Sequence, residues 1–153
     1  MNLQELLHAT SRYGTDEYDR FIEDYSDEIH EIDDTNAEFE LYKKLYIASK
    51  GWATVRLEDE LIELFDSASI PNSEYKNIQQ LFNDSDVITV YRGINGYNRK
   101  NGHSYTTSKE KAEWFANRYK SLNDIGYVIE KTVTIDDIIF YDNSRNEQEV
   151  FIR

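Results

Sequence analysis

The chain has 153 residues, enough for one domain with a hydrophobic core and too few for two large ones. It carries 17 Lys and Arg against 30 Asp and Glu, a formal charge of −13, which argues against a sequence-independent grip on nucleic acid, because that grip depends on cations meeting phosphates. With no cysteine it can build neither disulfides nor thiolate metal sites, and its three histidines, His8, His30 and His103, lack ligand spacing, so no metal is expected.

The N-terminus "MNLQELLHATSRYG" has no basic start followed by an apolar run, and no segment approaches the roughly 20 apolar residues a membrane span needs. A cytoplasmic protein without membrane contact is the expectation. Residues 1–85 read as short amphipathic helices. In "TDEYDRFIEDYSDEIHEI", Tyr18, Phe21, Ile22, Tyr25, Ile29 and Ile32 recur at spacings of three and four and line one helical face. A second helix starts near Thr35, where Thr35-x-x-Glu38 has the form of a capping box, and carries Phe39, Tyr42, Leu45 and Tyr46. A third, "TVRLEDELIELFDSA", carries Val55, Leu57, Leu61, Leu64 and Phe65. Pro71 fits the first turn of a fourth, "PNSEYKNIQQLF", where its missing N–H costs nothing.

The period changes at Val87. "DVITVYRG" is β-branched and aromatic and reads as a strand, and residues 94–105, "INGYNRKNGHSY", read as a surface connection. "TTSKEKAEWFANRYKSL" reads as a helix with Thr107-x-x-Glu110 as its capping box and Ala112, Phe115, Ala116 and Tyr119 on the buried side. "GYVIEKTVTI", "DIIFYDN" and "QEVFIR" complete the strands. The fold class is α+β: N-terminal amphipathic helices packed on a small, mostly antiparallel sheet, in one domain with a helical part over 1–85 and a strand-containing part over 86–153.

Three pieces of the second half carry chemistry. Tyr91-Arg92-Gly93 ends the first strand with a planar, permanently charged group that makes paired hydrogen bonds to phosphate or carboxylate; an ordinary salt bridge would also use it. Thr106-Thr107-Ser108 sets hydroxyls where a strand enters a helix, a place that suits an anion or a plain helix cap. Glu147 and Glu149 lie two apart on the last strand and so face the same side, where they could meet one ligand or simply form an acidic edge.

In this order the three pieces resemble the ADP-ribosyltransferases of the arginine-serine-glutamate, cholera-toxin-like type, and "SYTTSKEKAEWFA" with "NEQEVFI" looks like the small stand-alone bacterial and phage members. In that family an aromatic-Arg-Gly strand, a Ser-Thr-Ser-like segment and a Gln/Glu-x-Glu motif build an NAD site. Thr106 stands where serine is usual. The resemblance covers about residues 87–153. It implies a mono-ADP-ribosyltransferase that uses NAD as substrate and a protein as acceptor, with Glu149, Glu147 and Thr106 catalytic and Arg92, Gly93, Tyr91, Thr107 and Ser108 on the dinucleotide. Glu149 would stabilise the charge on the ribose carbon, Thr106 would orient Glu149, and Glu147 would act on the acceptor. A glutamate at the position of Glu147 accompanies arginine acceptors in the family. Two alternatives remain: an NAD glycohydrolase, and a non-enzymatic acidic protein that binds a basic host or defence factor. The acidic surface itself serves either solubility or a basic partner.

Overall fold

The computed structural model describes residues 1–95, 98, 101–118 and 126–153, and these form two compact units, Met1–Pro71 and Asn72–Arg153. Tyr119 and the middle of the 94–105 connection lie outside the described residues.

The first unit is helical: α1 (Leu3–Ala9), α2 (Tyr18–Asp24), α3 (Ser26–His30), α4 (Thr35–Ala48) and α5 (Trp52–Ser67). The long helix expected over residues 15–32 is divided. Its apolar positions hold the expected face, but Tyr25 leaves the helical region at φ −110° and ψ 22°, so α2 and α3 are separate turns. Phe21 packs at a tilt against Tyr25 with ring centroids 4.9 Å apart and meets Tyr13 edge-on at 5.4 Å, an aromatic cluster at the break. Tyr13 donates a 2.7 Å hydrogen bond to Asp24, and that acceptor, with the negative charge behind it, pushes the exposed phenol up to about 12. The cap of α4 is Asp34 rather than Thr35: its carboxylate accepts from the N–H groups of Asn36 and Ala37, which places the start one residue earlier than the capping-box pattern suggested. The core draws on Leu6, Phe21, Ile29, Phe39, Leu41, Leu45, Leu57 and Leu61, all buried. On α5 the buried line runs through Ala53, Leu57 and Leu61, while Val55, Leu64 and Phe65 are half-buried.

The second unit opens with α6 (Asn72–Gln79), immediately after Pro71, so the last of the N-terminal helices goes with the sheet. Asn77 donates to the carbonyl of Tyr141 at 2.7 Å and to Glu74 at 2.8 Å, pinning α6 to β4. The strands are β1 (Ile88–Ile94), β2 (Ser104–Thr106), β3 (Tyr127–Val133), β4 (Ile138–Asp142) and β5 (Glu149–Ile152), in the order β3-β1-β2-β5-β4, every neighbouring pair antiparallel. With the helices this gives the expected α+β class. Strand β2 reaches further back than the sequence reading, which ends a strand at Thr106 but assigns Ser104 and Tyr105 to the connection. Among the described residues no helix is long and apolar enough to cross a membrane.

Between β2 and β3 lies α7 (Lys109–Asn117), packed on β1. The approach is close enough to dictate sequence: a Cβ on Gly93 would lie 2.1 Å from the Ala112 carbonyl oxygen and 2.6 Å from the Ala116 nitrogen. Both obstacles are backbone and neither can swing aside. Gly93→Ala is therefore expected to cost about 3 kcal/mol, at the upper end for overpacking, read as a lower denaturation midpoint at unchanged slope. Ala112 and Ala116 are small for the same reason and are buried against the strand.

Candidate functional site

Register across the sheet brings the distant motifs together. Tyr91 on β1 pairs with Thr106 on β2, Thr106 pairs with Glu149 on β5, and Glu149 pairs with Asp142 on β4. One row across four strands thus joins residues 91, 106 and 149. Beside it lies a cavity of about 370 Å³ lined by six of the eight anticipated residues: Tyr91, Arg92, Gly93, Thr106, Glu147 and Glu149. A volume of this size is in the range of small-ligand sites.

Arg92 is held rather than free. Its Nη1 donates to the Ser104 carbonyl at 2.7 Å, and its guanidinium lies so close to Gly102 that a Cβ there would come within 2.2 Å of Nη2. Gly102 therefore leaves room for the arginine head. Asn98 closes the nearby rim, donating to the Gly93 carbonyl at 2.6 Å and accepting from the Asn95 N–H at 2.7 Å.

Glu149 is the buried charge of the site, with 6% exposure. Burial pushes its carboxyl above the usual range, Glu147 and Asp142 push the same way, and the Ser104 hydroxyl and Arg145 guanidinium oppose the shift. Ser104 Oγ donates to Glu149 Oε2 at 2.5 Å, and Arg145 Nη2 lies 3.1 Å from Oε1. Thr106 does not orient Glu149, as had been expected. Its hydroxyl donates to the Glu147 carbonyl at 2.9 Å and accepts from the Ser108 N–H at 3.1 Å. Register alone would favour Thr106, which lies directly opposite Glu149, but at the strand end its hydroxyl is taken up by the turn, and the diagonal neighbour Ser104 holds the carboxylate instead.

Two further expectations change for related reasons. Thr107 and Ser108 do not line the cavity. Thr107 donates to the Gln148 side chain at 2.7 Å and, through its N–H, to the Gln148 carbonyl at 3.2 Å. Ser108, not Thr107, caps α7 by accepting from the Lys111 N–H. The threonine pair thus fastens the turn that carries both glutamates.

Glu147 is not on a strand, since β5 begins at Glu149 and Gln148 has a φ of +48°. The alternation argument fails there, yet the two carboxylates still meet. Arg145 Nη2 lies 3.1 Å from Glu147 Oε2 and 3.1 Å from Glu149 Oε1, spanning both. Within the turn, Asn143 accepts from the Gln148 N–H at 3.0 Å and Ser144 donates to Asp142 at 2.7 Å. Sequence reasoning missed Ser104, Arg145 and Arg118. Period-two alternation back from Thr106 points to Ser104, whereas nothing in the local pattern marks Arg145. Arg118 follows α7 directly, with its guanidinium 5.0 Å from the Trp114 ring centre, and lines the same cavity.

Compared with known protein families, curated proteins and solved structures, the chain matches none.

Proposed function

We propose that the chain is a mono-ADP-ribosyltransferase that splits NAD between nicotinamide and ribose and passes the ADP-ribose to a protein acceptor, an arginine by the family resemblance. The observation that carries this reading is a reversal of charge: in a chain of net −13, one cavity gathers, among the described residues, Arg92, Arg118 and Arg145 with Glu147 and Glu149. That local surplus suits an anionic pyrophosphate, and the buried carboxylate inside it suits a developing cation.

The placement of each residue supports a role. Arg92, fixed by the Ser104 carbonyl and the space over Gly102, presents a rigid fork to phosphate oxygens, and Arg118 adds a second cation. Cleavage takes ribose C1′ through an oxocarbenium-like state as the bonding pair leaves with nicotinamide. Ionised Glu149, held by Ser104, stabilises that positive charge through a ribose hydroxyl. Glu147, nearer solvent with a third of its side chain exposed, takes the proton of the attacking nitrogen. On this reading the exposed Asp16, Glu23, Asp24, Asp27 and Glu31 of the first unit draw a basic target, and the setting is the cytoplasm of a bacterial or phage-infected cell.

Incubation with adenylate-labelled NAD in cell lysate tests the reading. Label on protein is the expected result. Free ADP-ribose without labelled protein would make the chain a glycohydrolase, and neither product would leave an acidic binding protein.

A further inference from the structure

Within the helical unit, α3, α4 and α5 line a separate cavity of about 150 Å³ whose charged groups are mostly acidic. Glu38 and Tyr42 stand one turn apart on α4, Glu60 and Glu63 nearly one turn apart on α5, and Ile29 and Leu64 supply apolar wall. The telling group is Tyr42. It is only 6% exposed and lines the cavity, yet no group among the described residues hydrogen-bonds its hydroxyl. A polar group so placed is costly unless something else meets it. Burial, with Glu60, Glu38 and Glu63 around it, pushes the phenol above its ordinary value against the opposing pull of Arg56, so the hydroxyl stays neutral and its lone pairs are free. The carboxylates are unequally balanced. Arg56 Nε donates to Glu60 at 2.9 Å and Nη1 to Glu23 at 2.6 Å, whereas neither Glu38 nor Glu63 forms an ion pair among the described residues. His30 also lines the cavity, with Nδ1–H committed to the Ser26 carbonyl at 2.6 Å.

We propose that this cavity binds a primary alkylammonium group, the end of a lysine side chain or of a polyamine, through Tyr42, Glu38 and Glu63. An ammonium has three N–H donors and no acceptor, and the cavity offers one neutral hydroxyl and two uncompensated carboxylates to receive them. Its alkyl stem lies along Ile29 and Leu64, as lysine stems lie on apolar surface. Size narrows the choice. At about 150 Å³ the cavity is below the range of sites for drug-sized ligands, so it takes one side chain or a slender amine rather than a nucleotide. A bare metal ion fits less well, because no three histidine, aspartate or glutamate side chains among the described residues are grouped to ligate one. The binding needs no NAD and is independent of the activity proposed above.

The test titrates the isotope-labelled full-length chain with n-butylammonium chloride and, separately, with sodium chloride at equal ionic strength, following amide and tyrosine-ring NMR shifts. Saturable shifts centred on Glu38, Tyr42 and Glu63 are expected with the amine and not with sodium. Tyr42→Phe keeps the ring and removes only the unpartnered hydroxyl, so its spectrum should remain that of a folded chain while binding weakens about tenfold, the scale of one hydrogen bond to a charged group. Glu38→Gln combined with Glu63→Gln should abolish saturation. Parallel titrations with a blocked Gly-Lys-Gly peptide and with spermidine distinguish the two sources, the tighter ligand being the one the cavity is built for. Shifts that sodium reproduces, no saturation with any amine, or undiminished affinity in folded Tyr42→Phe would overturn the inference and leave the NAD reading untouched.

Discussion

Glu149→Gln is expected to lower ADP-ribose transfer and NAD cleavage together by about 10²–10³-fold, the scale for removing one preorganised charge-stabilising group, while making the fold more stable at neutral pH. The two effects share one cause. Glu149 is buried beside Ser104, and burial holds its folded-state pKa above the unfolded value, near 4.3 for an ordinary glutamate. Between those two values the unfolded chain has released the proton and the folded chain keeps it. Stability therefore falls as pH rises through that window and stays reduced above it, where wild type holds a desolvated charge. Glutamine keeps the shape and can still accept from the Ser104 hydroxyl, but it does not titrate. The variant should melt higher than wild type at neutral pH and show a flatter stability profile across the same window. Thermal melts from pH 4 to 8 alongside nicotinamide release check both halves. An active variant would end the proposed role of Glu149, and an unchanged pH profile would show that the buried carboxyl does not strain the fold.

What could be read from the sequence, and what could not, divides along the reach of the signals. Helical faces are local, so Phe21, Ile29, Phe39 and Leu57 are found by spacing alone and are buried as expected. Caps are local too, but Asp34 outcompetes Thr35 and Ser108 outcompetes Thr107 by a one-residue shift that the four-residue pattern does not resolve. The break at Tyr25 is not marked by the helical period, which Phe21 and Tyr25 both obey; it coincides with Tyr13, from outside that face, packing on both rings. In the site, Arg92, Thr106 and Glu149 were recognisable as motif members, but their meeting is a property of strand order: β2 lies between β1 and β5 although β3 and β4 intervene in the chain. Ser104 stands two residues before Thr106, so alternation points to it once β2 is known, but a three-residue strand after a Gly/Asn-rich stretch does not announce itself as a strand. Arg145 was hidden for a different reason. Its position depends on positive φ at Asn146 and Gln148, which folds residues 145, 147 and 149 round one point where an extended chain would spread them.

Glu147→Gln is expected to separate the two reactions that Glu149→Gln removes together. The Glu147 backbone is fixed by Thr106, so the substitution leaves the turn in place and changes only what the side chain can do with a proton. If Glu147 deprotonates the acceptor nitrogen, transfer to a guanidinium should fall by about 10²–10⁴-fold, the range for a lost general base. Cleavage of NAD by water should fall far less, because on the proposed reading Glu149, Ser104 and Arg92 would be left in place toward the ribose and phosphates. Loss of the Glu147 charge also leaves Arg145 paired with Glu149 alone, which strengthens the cationic surplus around the dinucleotide rather than weakening it. Nicotinamide release measured with and without agmatine distinguishes the cases: wild type should be accelerated by the acceptor and the variant should not. Equal loss of cleavage and transfer would move Glu147 from the acceptor to the NAD-binding side of the cavity, and the carboxylate pair would then serve a single substrate.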